Sequence, residues 1–297
     1  MDLKESVRQW VLRELPYDRG DAALVAYLTG LDAHALLVAF YNWNSRRVSP
    51  QHRLVHKSKA FQQNPLATQR ASELAQIISD IEHGQDLRKY LSRDIVRAPV
   101  RAPGSDRRDL DLMLNDWGIH HLHISSIVEA DGFVKRDGPL LFVSFTPHAA
   151  YLIDIMTHHD WTRDHVLEVL AGEWPNECVI HDMGAAPPNS ITERQRANLR
   201  GNHYNSAFTY AGRAFKPAGG MMSNGTTLTA WLAARHVLGK IDIFERALAN
   251  NQHRLASKFE QHGFAFPDTE FEFAIREDGP GILETKTGTW INLAVIQ

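Results

Sequence analysis

Residues 119–156 read IHHLHISSIVEADGFVKRDGPLLFVSFTPHAAYLIDIM, and this stretch decides the fold. At its front, polar and apolar side chains alternate, so His121, His123 and Ser125 share one face of a strand while Leu122 and Ile124 take the other. Asp131–Gly132 and Asp137–Gly138–Pro139 are turn chemistry. The apolar runs 140–145 and 151–156, separated by Thr146–Pro147–His148, are expected to pair as adjacent antiparallel strands. Asp160 or Thr162 can cap a helix over 163–173, which Trp174–Pro175 would stop. Segment 119–173 is therefore predicted to be three strands and a covering helix.

Upstream the period changes to that of a helix. Leu3, Val7, Trp10, Val11 and Leu15 recur at steps of three and four, with Asp2 as a cap, and helices are also expected over 22–28, 33–41, 66–81 and 87–91. The two prolines and the glycine of 98–105 interrupt regular structure and mark a boundary. Downstream, helical patterns cover 228–238 and 243–259, Phe271, Phe273 and Ile275 alternate with charged residues, and 285–293 reads as a final strand. The expectation is an α+β fold, with a helical region over 1–97 followed by small antiparallel β-sheets with covering helices over 106–297.

The single Cys178 excludes an intramolecular disulfide, and the N-terminus lacks the pattern of a signal peptide, so a reducing cytoplasm is the expected compartment. No apolar run approaches the roughly 20 residues that span a bilayer, and no membrane association is expected. The net charge of −3 conceals an asymmetry: residues 1–110 hold 17 Lys and Arg against 13 Asp and Glu, and residues 111–297 hold 15 against 22. Between Asp32 and Glu73 there is no acidic residue, while Arg46, Arg47, Arg53 and Lys57 accumulate near Tyr41, Trp43 and Phe61. Such cations can contact phosphates and such rings can stack on bases, which nominates RNA or DNA as a partner of this stretch; the acidic C-terminal part nominates a protein partner.

Eight of the sixteen histidines lie between His120 and His181. The imidazole is the side chain that exchanges protons near neutral pH, so the groups His120–His121–Leu122–His123 and His158–His159–Asp160 are the candidates for chemistry. An antiparallel sheet could bring them together, letting His121, His123, His158 and His159 divide general-base and general-acid work on a phosphodiester, with Arg136 or Arg163 steadying developing charge. A divalent metal is the alternative cofactor, held by His121, His123, His158 and Asp160, although H-E-x-x-H and paired C-x-x-C motifs are absent. Leu122–His123–Ile124–Ser125 is similar to one half of the paired H-x-[S/T] element of two-histidine phosphoesterases; the second half is missing, so nothing is carried over from that family. Gly219–Thr227 could cradle an anion, but it lacks the lysine of a P-loop and reads better as a turn and helix cap.

The function expected from these features is an enzyme acting on nucleic acid or nucleotide, in first place a phosphodiester-cleaving nuclease with histidine acid–base chemistry, a layout that would also suit a toxin or phage-defence effector. Two alternatives remain open at this point. One is a non-catalytic nucleic-acid-binding or regulatory protein; the other is a metal-dependent hydrolase of a small molecule.

Overall fold

The computed structural model describes residues 2–104, 106–136, 138–157, 163–175, 177, 180–187, 191–250 and 270–296. Among the described residues it is an α+β structure with one four-stranded and two three-stranded sheets. By their contacts the residues divide into two units, 1–41 with 102–105 and 230–297, and 42–101 with 106–229. This division differs from the expected 1–97 and 106–297, because each unit is completed by chain from both sides of the 98–105 segment.

The larger unit is organised by strands β1 (Leu54–Lys57), β2 (Ile119–His123), β3 (Leu140–Phe145) and β4 (Ala149–Met156), in the order β1-β4-β3-β2. β2, β3 and β4 are antiparallel as expected, with His121 opposite Phe142 and Phe142 opposite Asp154. β1 was not expected: it adds to β4 in parallel, pairing Leu54 with Ala149 and Lys57 with Leu152, so the basic stretch is neither a loop nor part of a purely helical region. One face of the sheet buries Leu122, Leu141, Val143, Leu152 and Ile155 together with Leu74, Ile77 and Ile81 of the Ala71–Glu82 helix. The other buries Ile119, Leu140, Phe142, Tyr151 and Ile153 with Val166, Leu167 and Leu170 of the His165–Glu173 helix. Covering both faces explains why β3 and β4 are nearly continuous apolar runs. A register shift between Phe142 and Val143 changes the phase of β4, leaving Ile155 beside the residues of the first face and Met156 beside those of the second.

A second sheet in this unit joins β5 (Ile180–Ala185), β6 (Phe208–Tyr210) and β7 (Arg213–Pro217) in the order β5-β7-β6, and Phe208 and Phe215 pack into the second core layer. Two ion pairs are buried here. Arg196 meets Asp164 at 2.7 Å, and Arg200 meets Asp116 at 3.0 Å while lying 3.7 Å over the ring of Trp117. The smaller unit pairs β8 (Phe271–Arg276), β9 (Gly279–Glu284) and β10 (Trp290–Asn292) antiparallel. Its first helix, Leu3–Glu14, starts where Asp2 accepts from the Glu5 amide, and Trp10 sets its ring edge-on to Phe40 and Phe273. The two helices expected over 228–259 are one helix, Leu228–Asn250, in the described residues; 251–269 lie outside them. Among the described residues no helix is long and apolar enough to cross a membrane.

Candidate active site at the open edge of the four-stranded sheet

β2 is the outer strand of its sheet, so a hollow at that edge can meet side chains from both faces. A cavity of about 160 Å³ does so, lined by Arg46, Leu91, Ser92, Asp94, Ile95, Arg108, Leu110, Asp111, His120 and His121. A short local device places two of these residues. Asp111 caps the helix Leu112–Trp117 by accepting from the Leu114 amide at 3.0 Å, and Gly118, in the left-handed region at φ 71°, ends that helix and turns the chain into β2. The result sets Oδ2 of Asp111 3.6 Å from Nδ1 of His121.

His120 leaves the strand on the opposite side, edge-on to Phe145 with ring centroids 5.4 Å apart. Both of its ring nitrogens are shielded from solvent and lack a partner in good hydrogen-bond geometry. Burial pushes its pKa down to about 4, outweighing the upward pull of Asp111 and the Ser45 backbone, so this imidazole is neutral at pH 7. Arg46, 5% exposed, donates to the carbonyl oxygens of Asp94, Ala98 and Pro99, the last at 2.6 Å. Burial lowers its pKa, opposed by Asp109, Asp111 and Asp94, but a guanidinium remains charged. At the mouth, Arg108 pairs with Asp94 at 2.5 Å.

The residues nominated from sequence are distributed as follows. His121 lines the cavity; His123 is on the same strand face, with ring centroids 6.2 Å apart, but is buried and does not line it. His158, His159 and Asp160 lie outside the described residues, as does Cys178. Arg136 is exposed and does not line the cavity. Of the four cations nominated for nucleic acid, Arg47 and Lys57 are exposed, whereas Arg46 and Arg53 are turned inward. Arg53 is held by the carbonyl oxygens of Thr146 and Ser49 at 2.9 Å each and lies over the Phe145 ring. A single exposed face bearing all four is therefore absent. Among the described residues no group of three or more His, Cys, Asp or Glu is arranged to hold a metal ion, and two members of the nominated metal set lie outside them.

A second histidine–carboxylate pair is found where β4 changes phase. Nε2 of His165 is 2.8 Å from Oδ2 of Asp154, whose Oδ1 accepts from Asn64 and from the Ile155 amide. The Gly219–Thr227 loop is a structural clasp, with the Gly220 amide bonded to the Asn115 carbonyl, the Thr227 amide to Asn42, and the Gly225 carbonyl to the Asn115 side chain.

Sequence reasoning missed Asp111, Asp94 and Arg108, and named His120 in its group without giving it a role. The signal for Asp111 is present in the sequence, since an Asp directly before Leu112 is a standard helix cap. Comparison of the chain with protein-family models, with curated proteins and with solved structures finds no match.

Proposed function

We propose that the larger unit is a phosphoester hydrolase that cleaves a phosphodiester, of nucleotide or nucleic acid, by histidine acid–base chemistry at the cavity beside β2. The observation that carries this reading is that His120 and His121 line one hollow and Asp111 stands behind His121. Asp111 orients the His121 ring, as a carboxylate does for a general base. His121 takes a proton from an attacking water while the water oxygen forms its bond to phosphorus. It then returns that proton to the leaving oxygen as the phosphorus–oxygen ester bond breaks, so one histidine serves as base and then acid. His120, neutral at pH 7, donates a hydrogen bond to a non-bridging oxygen without bringing a charge of its own.

The modest volume favours a substrate that presents its scissile phosphate at a nucleotide or chain end over one threaded through as a polymer, since cavities that enclose drug-sized ligands begin at about 300 Å³. The test is to incubate purified protein with labelled RNA, DNA and nucleoside cyclic phosphates, with and without EDTA, beside His121→Ala and Asp111→Asn. Metal-independent cleavage should fall roughly 10²–10⁴-fold in His121→Ala and less in Asp111→Asn. Cleavage unchanged in His121→Ala would remove the proposal.

A further inference from the structure

We infer that Arg46 makes this cavity an oxyanion pocket, whose ligand class is orthophosphate or the phosphate group of a phosphate ester; the identification with a substrate phosphate rests on the hydrolase reading above. Arg46 is a buried cation that makes no direct ion pair among the described residues, Asp94, Asp109 and Asp111 acting on its charge from beyond contact. Its hydrogen bonds all go to neutral carbonyl oxygens, its Nε–H has none, and among the described residues no carboxylate lies within 4.0 Å of it. The other deeply buried arginines are accounted for otherwise. Arg196 and Arg200 each hold an aspartate, and Arg53, whose Nε is bonded to Thr146, rests on Phe145 and does not line the cavity.

A charge removed from water without a partner costs several kcal/mol, and an anion entering the cavity would offset that cost. The carboxylates that share the lining have engagements of their own: Asp94 with Arg108, and Asp111 with the Leu114 amide and His121. His120 is a further donor at the same wall, since a neutral imidazole carries one N–H and neither ring nitrogen has a partner in good hydrogen-bond geometry, the Ser45 backbone acting on it less directly. The volume of about 160 Å³ is many times the roughly 10–15 Å³ that admits one water, enough for a tetrahedral oxyanion with some of its hydration. With its Nη groups held by carbonyl oxygens, Arg46 has its Nε–H left for an oxyanion, and a charge-assisted hydrogen bond from guanidinium to phosphate suits that donor.

The test titrates the full chain, labelled with ¹⁵N-histidine, with sodium phosphate at ionic strength held constant by sodium chloride, reading the His120 ring resonances. Parallel arms use adenosine monophosphate and dimethyl phosphate to separate free phosphate, monoester and diester as the source of the group. A saturable shift of His120 is expected, with affinity weakened roughly tenfold or more in Arg46→Met. Because Arg46 also ties down the 94–99 backbone, His120→Phe is the second variant; it keeps the contact with Phe145, removes the donor, and should weaken phosphate binding measured by calorimetry. The absence of any saturable shift in the wild-type protein overturns the inference, as does binding of equal strength in a folded Arg46→Met. Ester turnover without phosphate binding removes the pocket and leaves the hydrolase; phosphate binding without turnover of any ester removes the hydrolase and leaves the pocket.

Discussion

Acid should destabilise the protein through His120 in a definable pH window. In the unfolded chain an imidazole titrates near 6.5, and in the folded chain burial holds His120 near 4. Between these values the unfolded state binds the extra proton, so stability rises with pH across the window and the contribution is level above it. At about 1.36 kcal/mol per pKa unit, the shift corresponds to roughly 3 kcal/mol lost between pH 7 and pH 4. Carboxylates titrate toward the acid end of this window too, so the quantity to measure is a difference. Urea unfolding of wild type and His120→Gln, in buffers free of phosphate, gives two curves of stability against pH whose separation should narrow by about that amount as pH falls from 7 to 4. A bound oxyanion would support the imidazolium, so adding phosphate to the wild type should shrink the effect. Parallel curves without phosphate would refute the placement of His120 in a shielded environment.

Removing one partner of the Arg200–Asp116 pair leaves a buried charge alone, so Arg200→Met should cost about 3–5 kcal/mol in unfolding experiments, and Arg200→Met with Asp116→Asn should cost less than the single change. A β-carbon on Gly219 would stand 2.5 Å from the Asp116 carbonyl oxygen, so Gly219→Ala should lower stability by about 1–3 kcal/mol; if it is neutral by thermal unfolding, the close approach of that loop is wrong. The Asp154 hydrogen bond raises the His165 pKa, so this pair contributes stability that is complete below the ordinary histidine value and fades as pH rises through the raised one. Asp154→Asn should return the His165 titration, followed by NMR, toward its ordinary position.

Much of the four-stranded sheet is legible in residues 119–156 because periodicity and turn chemistry agree there. β1 is not legible. Leu54–Val55–His56–Lys57 is four residues long, polar at half its positions and largely exposed, and what makes it a strand is the free edge of β4, which only the folded chain supplies. The split into units fails to show for a similar reason: prolines and glycines at 98–105 report a local interruption of the backbone, whereas unit membership is set by long-range pairings such as the Ser6 hydroxyl with the Phe273 amide.

The arginines of the basic stretch show how charge in a sequence can mislead about a surface. Arg46, Arg47, Arg53 and Lys57 look equivalent in a window without acids, yet two of them spend their donors on the protein's own carbonyl groups. Burying a guanidinium is tolerated when its hydrogen bonds are met, and Arg53 meets that condition with its Nε engaged and an aromatic face beneath it. Arg46 meets it only in part, because carbonyl dipoles satisfy donors but do not neutralise a charge, and one donor is still unused. In three dimensions the fold brings Asp94, Asp109 and Asp111 toward Arg46 without a direct ion pair among the described residues, and its unused donor stands at the wall of one small cavity, beside the histidine that burial keeps neutral.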